Sequence, residues 1–260
     1  MIPLKYPVML VHGVDVTDKD GGKKSWGRIP EVLAGAGIDV FLGNTDAWGS
    51  YESNAAILKN SVEGVLSKTG KEKVNIISHS KGGIDSRYFI WKYDFGDKVA
   101  SLTTICTPHH GSEISDMLCG WKLTHTKFTK KVLSIYGKFF EDTNPDLYSV
   151  NNQLTTAKMK EFNEKVVMHD RVFYQNFYVT VDHVFDDIRY FFQYLYLKKT
   201  IGKNDGVVSE RSANWGSNTI KIADGISHSE IRDAKKKKIS GLDIPDVYIK
   251  IVSDLSKRNF

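Results

Sequence analysis

Cysteine is scarce in this sequence, which has only Cys106 and Cys119 among its 260 residues. Two cysteines do not make a disulfide scaffold, and neither stands in a metal-binding or redox spacing. Cys106 lies within the apolar run 102–107, so we predict that it is a small buried side chain.

Long apolar runs and a strong charge imbalance are also missing. No stretch approaches the roughly 20 apolar residues that a membrane-spanning helix needs. Charged residues make up 26% of the chain, and the net charge is only +5. This balance is typical of an ordinary surface and predicts no nucleic-acid partner. The sequence also lacks a signal peptide, which predicts either a cytoplasmic protein or the mature form of a secreted one.

The first half of the chain alternates between strand-like and helix-like patterns. Short apolar runs end near residues 11, 42, 79 and 105, and amphipathic segments separate them. Alternation of this kind predicts an α/β fold with a mostly parallel, doubly wound sheet and helices on both faces. In such sheets the chemistry lies at the carboxyl ends of the strands.

The alternation of strand-like and helix-like patterns ends after residue 112. We predict three parts for the chain: residues 1–114 form the first part of the core, residues 115–170 form a helical lid or cap insertion, and residues 171–260 complete the core. The insertion is rich in apolar side chains from Trp121 to Tyr148. Apolar surface next to a site suits a greasy ligand.

The chain is organised around the stretch from Val74 to Gly83, which predicts a strand, a sharp turn at Ser80 and a helix. A turn that raises a hydroxyl above a strand end strains the backbone, so the residues two before and two after it must be small. Ser78 and Gly82 meet that requirement. The usual pattern has glycine at the first of these two positions.

A serine nucleophile needs a base and an acid that orients the base. In a doubly wound sheet these follow later strands in the order Ser, Asp, His, which selects Asp205 and His228. His169 and His183 are rivals for the base, but neither lies between a predicted strand and the next helix. Three further residues compete weakly for the acid, namely Asp182, Asp186 and Asp187.

Acyl transfer also needs donors for the developing oxyanion. We predict that these are the backbone amides of Lys81, directly after the serine, and Val14, in the turn after the first strand. His12 and His79 are predicted to be scaffold residues that form hydrogen bonds.

Several motifs together resemble the bacterial true lipases, which have the α/β-hydrolase fold. The matching stretches are 7–13, 73–83 with 86–88 behind it, 103–112, 152–156 with 162–163, and 204–208. The resemblance implies hydrolysis of carboxylic esters of lipids by Ser80, Asp205 and His228, an oxyanion hole from Val14 and Lys81, and a helical lid over the pocket.

Two positions depart from the pattern of that family. Ser78 stands where glycine is usual and alanine also occurs, and a small residue should be tolerated there. Many members carry a calcium-binding aspartate two residues after the catalytic histidine, whereas this chain has Glu230. Calcium therefore stays an open alternative that we do not predict, and we predict no other metal and no cofactor.

The leading hypothesis is a serine lipase or esterase with a lipid or acyl ester as substrate and transient contact with a lipid interface. Two alternatives stay open. An acyltransferase would use the same three residues and pass the acyl group to an alcohol. A non-catalytic module would use the hydrolase fold to bind lipid. The residues do not predict an oligomeric state.

Overall fold

A parallel six-stranded sheet lies at the centre of the structure, a computed structural model that describes residues 1–120 and 146–260. The strands follow the order β2-β1-β3-β4-β5-β6 across the sheet, and each neighbouring pair is parallel. They are β1 Val8–Val11, β2 Val40–Leu42, β3 Val74–His79, β4 Val99–Ile105, β5 Phe173–Thr180 and β6 Thr219–Asp224.

Helices connect these strands and cover both faces of the sheet. The described ones are α1 Lys23–Trp26, α2 Ile29–Gly35, α3 Tyr51–Thr69, α4 Lys81–Tyr93, α5 Glu113–Gly120, α6 Leu147–Gln153, α7 Thr156–Lys165, α8 Phe191–Thr200, α9 Glu210–Ala213 and α10 Ile244–Lys257. Short 3-10 turns lie at Phe95–Asp97, Ile188–Tyr190 and Glu230–Arg232. No helix among the described residues is long and apolar enough to cross a membrane.

The central strands are buried along their whole length. Every residue of β1, β3 and β4 is buried, as expected for strands that helices cover on both faces. Two hydrophobic clusters pack on the sheet, one around α3 and α4 and the other around α2 and α10. The predicted α/β-hydrolase fold is confirmed. Strand order reverses between β1 and β3, so the loops after these two strands meet at the switch point of the sheet.

The first helical segment is divided into two short helices. Ser25 lies inside α1, and its hydroxyl lies 2.8 Å from the carbonyl oxygen of Thr17 and 2.9 Å from the carboxylate of Asp18. Helix α1 ends before Gly27, whose φ is 55°, and α2 begins two residues later. A Cβ at Gly27 would lie 2.4 Å from the carbonyl oxygen of Asp233. Close packing against a distant loop therefore ends α1.

The predicted insertion is only partly described. Helices α5, α6 and α7 lie within or at the edge of the range 115–170, and Val150, Met159 and Phe162 on the latter two pack into the cluster around α3 and α4. The apolar side chains from Trp121 to residue 145 lie outside the described residues. The boundaries of the lid remain a prediction.

Candidate active site

Ser80 occupies the turn between β3 and α4 in a strained backbone conformation. Its φ is 56° and its ψ is −132°, a combination that residues with a side chain rarely adopt. The turn is held from both sides, because the amide of Ser80 donates to the carbonyl of Ile105 at 2.9 Å and the hydroxyl of Thr107 donates to the carbonyl of Ser80 at 2.8 Å. The predicted strand, turn and helix are present.

Two glycines at the turn leave no room for a side chain. A Cβ at Gly82 would lie 2.4 Å from the carbonyl oxygen of His12, and one at Gly13 would lie 2.6 Å from the Cβ of Ser80. Ser78 is fully buried and its hydroxyl donates to the carbonyl of Thr103 at 3.4 Å. The serine that departs from the usual glycine therefore fits inside the sheet.

Folding brings Ser80, His228 and Asp205 into one hydrogen-bonded line. The Nε2 of His228 lies 2.9 Å from the Oγ of Ser80, and its Nδ1 lies 2.7 Å from the Oδ2 of Asp205. A carboxylate only accepts, so Nδ1 carries the proton and Nε2 is left to accept from the serine hydroxyl. These side chains are far apart in the sequence, and all three are buried.

The Asp205 carboxylate is fixed by its own turn. Its Oδ1 accepts from the amides of Val207 at 2.9 Å and Val208 at 2.7 Å, while the amide of His228 donates to the carbonyl of Asp205 at 2.9 Å. The rival histidines have other surroundings. His169 contacts Asp94 at 2.9 Å, and the amide of His183 donates to Asp186 in an exposed turn.

His79 supports His228 through its backbone. Its Nε2 lies 2.8 Å from the carbonyl oxygen of His228, and the two rings lie 4.6 Å apart. Burial, followed by the proximity of His228, lowers the pKa of His79 well below its usual value. A neutral His79 donating from Nε2 fits the scaffold role predicted for it. The Nδ1 of His12 lies 2.7 Å from the carbonyl oxygen of Gly13, in the loop that carries Val14.

The two residues predicted to supply oxyanion donors flank the serine. Lys81 begins α4, directly after Ser80, and Val14 follows Gly13, which lies against Ser80. The sequence did not predict where the Lys81 side chain goes. It is buried, and its Nζ lies 2.6 Å from Asp85, which also accepts from Asn54 at 2.8 Å. The ion pair lies within α4, and the Asn54 amide links its carboxylate to α3.

Cys106 lies beside Asp205 and His228. It is buried as predicted and has a φ of 51°. Atoms of Cys106, Asp205 and His228 that could bind a metal lie within 4.8 Å of one another. Burial and the nearby Asp205 charge, however, raise the pKa of the Cys106 thiol well above its usual value. A protonated thiol is a poor metal ligand, and both other groups are already hydrogen-bonded.

The residues at the calcium position of the lipase family do not suit a divalent cation here. The Glu230 carboxylate is almost fully buried, accepts from the amide of Ser227 at 2.8 Å and forms an ion pair with Lys235. A lysine ammonium thus supplies the positive charge next to this carboxylate.

A further carboxylate, which the sequence did not predict, lies at the loop of His228. Asp187, considered only as a weak rival for the acid, accepts hydrogen bonds from the hydroxyls of Ser227 and Ser229 on either side of His228. It does not contact the imidazole in the way Asp205 does. Only the folded loop reveals the contact, because the two segments are distant in the sequence.

Comparison with known proteins places this chain in a family. The family model described as palmitoyl protein thioesterase matches residues 7–177, from β1 to β5. The chain belongs to the palmitoyl protein thioesterase family. The matched range contains Ser80, Lys81 and Val14 and ends before Asp205 and His228.

Similar proteins carry lipase names. Triacylglycerol lipase 2 of Saccharomyces cerevisiae is 28% identical over an alignment that covers 90% of this chain and 74% of that protein. A triacylglycerol lipase of Pseudarthrobacter phenanthrenivorans is 34% identical over 61% of this chain and 53% of its own length. The chain therefore spans about half the length of this bacterial relative.

A solved structure agrees with the fold. The mature form of a Bacillus licheniformis lipase superposes with a TM-score of 0.70 at 24% identity, over 96% of this chain and 93% of that one. The predicted resemblance to lipases is confirmed, and so is the predicted enzyme class, a carboxylic ester hydrolase.

Proposed function

We propose that this chain hydrolyses carboxylic esters of lipids through an acyl-enzyme formed on Ser80. The observation that supports this most directly is the hydrogen-bonded line from Ser80 through His228 to Asp205, with distances of 2.9 and 2.7 Å. A neutral serine hydroxyl is a weak nucleophile, and an imidazole within hydrogen-bond reach activates it.

Acylation begins with attack of the Ser80 Oγ on the ester carbonyl carbon. The Nε2 of His228 takes the hydroxyl proton as the bond forms, and Asp205 stabilises the resulting imidazolium through Nδ1. The tetrahedral intermediate collapses when the alkoxide leaves and receives this proton from His228. The acyl group is then an ester of Ser80.

The oxyanion of the intermediate receives hydrogen bonds from the amides of Lys81 and Val14. Each such donor is worth about 3 to 4 kcal/mol of transition-state stabilisation. The amide of Lys81 lies at the first turn of α4, where the helix dipole also favours negative charge. Deacylation repeats the sequence with water, which His228 deprotonates, and it releases the fatty acid.

The proposed steps need no metal. The negative charge that develops on the carbonyl oxygen is stabilised by amides, and the proton moves between oxygen and an imidazole nitrogen. The carboxylate at the calcium position, Glu230, is paired with Lys235. We therefore propose that the enzyme needs neither calcium nor another cofactor.

The substrate class follows from the relatives' names, which are triacylglycerol lipases. Long- and medium-chain acyl esters are the substrates we propose first. Thioesters are a second class to test, because the family is described as palmitoyl protein thioesterase. Both substrates give the same acyl-enzyme and differ in the leaving group.

An exposed apolar patch supports transient contact with a lipid interface. Phe185, Ile188 and Phe192 are 78%, 64% and 81% exposed, although most large apolar side chains of the described residues are buried. Leu195 extends this surface along α8. Lys235, which is paired with Glu230, donates to the carbonyl of Asp186 next to the patch, and the exposed lysines 236–238 that follow it bring positive charge to this side. Such a surface suits a membrane that carries anionic lipids.

A series of p-nitrophenyl esters with acyl chains of increasing length tests the proposal, with a palmitoyl thioester assayed in parallel. We expect hydrolysis that favours medium or long chains and is lost in Ser80→Ala. Acyl transfer that exceeds hydrolysis when an alcohol is added would favour an acyltransferase, and no turnover of any ester or thioester would favour a lipid-binding module. For the patch, Phe192→Ser should weaken binding to anionic vesicles, whereas the exposed Val167→Ser should not.

A further inference from the structure

The two serines on either side of His228 bind one carboxylate. The hydroxyl of Ser227 donates to the Oδ2 of Asp187 at 2.7 Å, and the hydroxyl of Ser229 approaches the same oxygen at 3.3 Å. Side chains two positions apart in this loop therefore converge on one point beneath it. The residue between these two serines is His228, whose imidazole contacts Ser80.

Arg189 completes this arrangement. Its Nε lies 2.8 Å from the Oδ1 of Asp187 and its Nη2 lies 2.6 Å from the Oδ2, a bidentate contact. The same Nη2 donates to the hydroxyl of Ser229 at 2.6 Å. Asp187 is nearly buried, whereas half of the Arg189 side chain is exposed. Planar, bidentate pairs of this kind are the strongest and most directional contacts between an arginine and a carboxylate.

The charge of Asp187 is stable in this setting. Burial alone would raise the pKa of Asp187, but hydrogen bonds from Arg189 and Ser227 outweigh burial and lower the pKa to about 2. The carboxylate is therefore ionised wherever an esterase of this kind would work.

Capping the short 3-10 turn does not account for these contacts. As an N-cap, Asp187 needs only to accept from the amide of Arg189, and that hydrogen bond is long at 3.3 Å. Both shorter contacts to Oδ2 come instead from a guanidinium and from Ser227 in the histidine loop. The carboxylate is used mainly to hold that loop.

We propose that Asp187 and Arg189 are positioning residues that hold the loop of His228 in the orientation required for proton transfer from Ser80. This inference rests on the proposed function, because it gives a role to residues around His228. The pair acts from beneath the loop, while Asp205 fixes the ring from its Nδ1 side and His79 fixes the backbone carbonyl.

Asp187 and Arg189 also set the charge next to the loop of His228. A pH profile detects a change in this charge, whereas a purely structural role would not alter the profile. Asp187→Asn removes a negative charge and leaves the Arg189 cation beside the loop of His228, which disfavours a protonated ring. Arg189→Gln leaves the Asp187 anion, which favours a protonated ring. The other titratable or charged groups around His228 are unchanged in both variants, namely Asp205, His79, Arg232, Cys106, Tyr190 and the pair of Glu230 with Lys235.

The acidic limb of the profile of kcat/KM against pH should therefore move in opposite directions. We expect a shift of about half a pH unit to lower pH in Asp187→Asn and a similar shift to higher pH in Arg189→Gln, given partial solvent screening. The double variant should return the limb close to its original position. All three variants should lose kcat by about tenfold or more with little change in KM, because misplacement of a catalytic group affects the chemical step.

Arg28→Gln is the matched control. Arg28 makes the same bidentate contact to a buried aspartate, with its Nε and Nη2 at 2.8 and 2.7 Å from Asp233. This control should lower the thermal midpoint as Arg189→Gln does and leave kcat and the acidic limb unchanged. If Asp187→Asn does not fold, Ser227→Ala removes one hydroxyl from the loop, keeps the ion pair and should still lower kcat severalfold.

The rate at which a fluorophosphonate labels Ser80 separates the two levels of the proposal. Unlabelled wild-type protein would contradict the proposed function itself. Labelling of Asp187→Asn and Arg189→Gln at the wild-type rate, with unchanged kcat, would overturn the positioning role alone. The positioning role would also be overturned if the acidic limb of the pH profile shifted in the same direction in Asp187→Asn and Arg189→Gln, or if it shifted in Arg28→Gln.

Discussion

Gly13→Ala adds one methyl group beside the nucleophile. The new Cβ would lie 2.6 Å from the Cβ of Ser80, 3.1 Å from its Oγ and 3.1 Å from the carbonyl oxygen of His79. Carbon atoms in contact normally stay about 3.5 to 4.0 Å apart, so either the loop that carries Val14 or the turn at Ser80 must move by about 1 Å.

The size of the effect follows from this displacement. A misplacement of about 1 Å in a catalytic site costs up to about 100-fold in rate, and loss of one oxyanion donor costs about 100- to 1,000-fold in kcat. We therefore expect kcat to fall by about 100-fold in Gly13→Ala. KM should change less, because the methyl group disturbs the groups that act in the transition state.

Steady-state kinetics on a p-nitrophenyl ester, together with thermal unfolding, measure this prediction. Gly64→Ala is the control, because Gly64 lies inside α3 and an added Cβ would have no heavy atom within 4 Å beyond its chain neighbours and the adjacent backbone of the helix. It should keep full activity and gain up to about 1 kcal/mol of stability. A folded Gly13→Ala enzyme with the wild-type kcat would refute the reasoning about the loop of Val14.

The buried ion pair gives a second prediction: Lys81→Met should destabilise the protein by about 3 to 5 kcal/mol in denaturant unfolding, because Asp85 stays buried without its cation. The double variant Lys81→Met/Asp85→Leu should regain most of that loss, and equal losses in both variants would contradict this. A third concerns pH: burial lowers the pKa of His79 in the folded state, so only the unfolded chain gains a proton as pH falls through about 6.5. The free energy of unfolding should therefore decrease below that pH, and His79→Gln should decrease less; identical slopes would argue against a neutral His79. A fourth concerns metals: EDTA followed by dialysis should leave esterase activity unchanged, because Lys235 neutralises Glu230, and a loss that calcium restores would show the opposite.

Much of the fold and of the candidate site could be predicted from local patterns. Ser80 stands out because an apolar run, two small residues and a helical pattern occur in immediate succession. Asp205 and His228 follow from chain order and from their places after late strands. Each of these signals lies close in the sequence to the side chain that it identifies.

Contacts between distant segments could not be predicted in this way. The pair of Asp187 and Arg189 meets the histidine loop only through folding, and nothing next to Asp187 in the sequence distinguishes it from Asp186. The side chains of Lys81 and Asp85 are buried, and Asn54 of α3 donates to the carboxylate, which the i, i+4 spacing of the two residues does not predict. The end of α1 at Gly27 likewise depends on contact with Asp233, which lies near the other end of the chain.

The central claim is that Ser80 becomes acylated and that His228 activates it. Peptide mass mapping after brief exposure to a fluorophosphonate tests both statements in one experiment on the wild-type protein, Ser80→Ala and His228→Gln. We predict a single adduct on the peptide that contains Ser80, no adduct in Ser80→Ala, and labelling in His228→Gln that is slower by at least about 1,000-fold. An adduct on another residue, or wild-type labelling of Ser80 without the imidazole, would contradict the central claim.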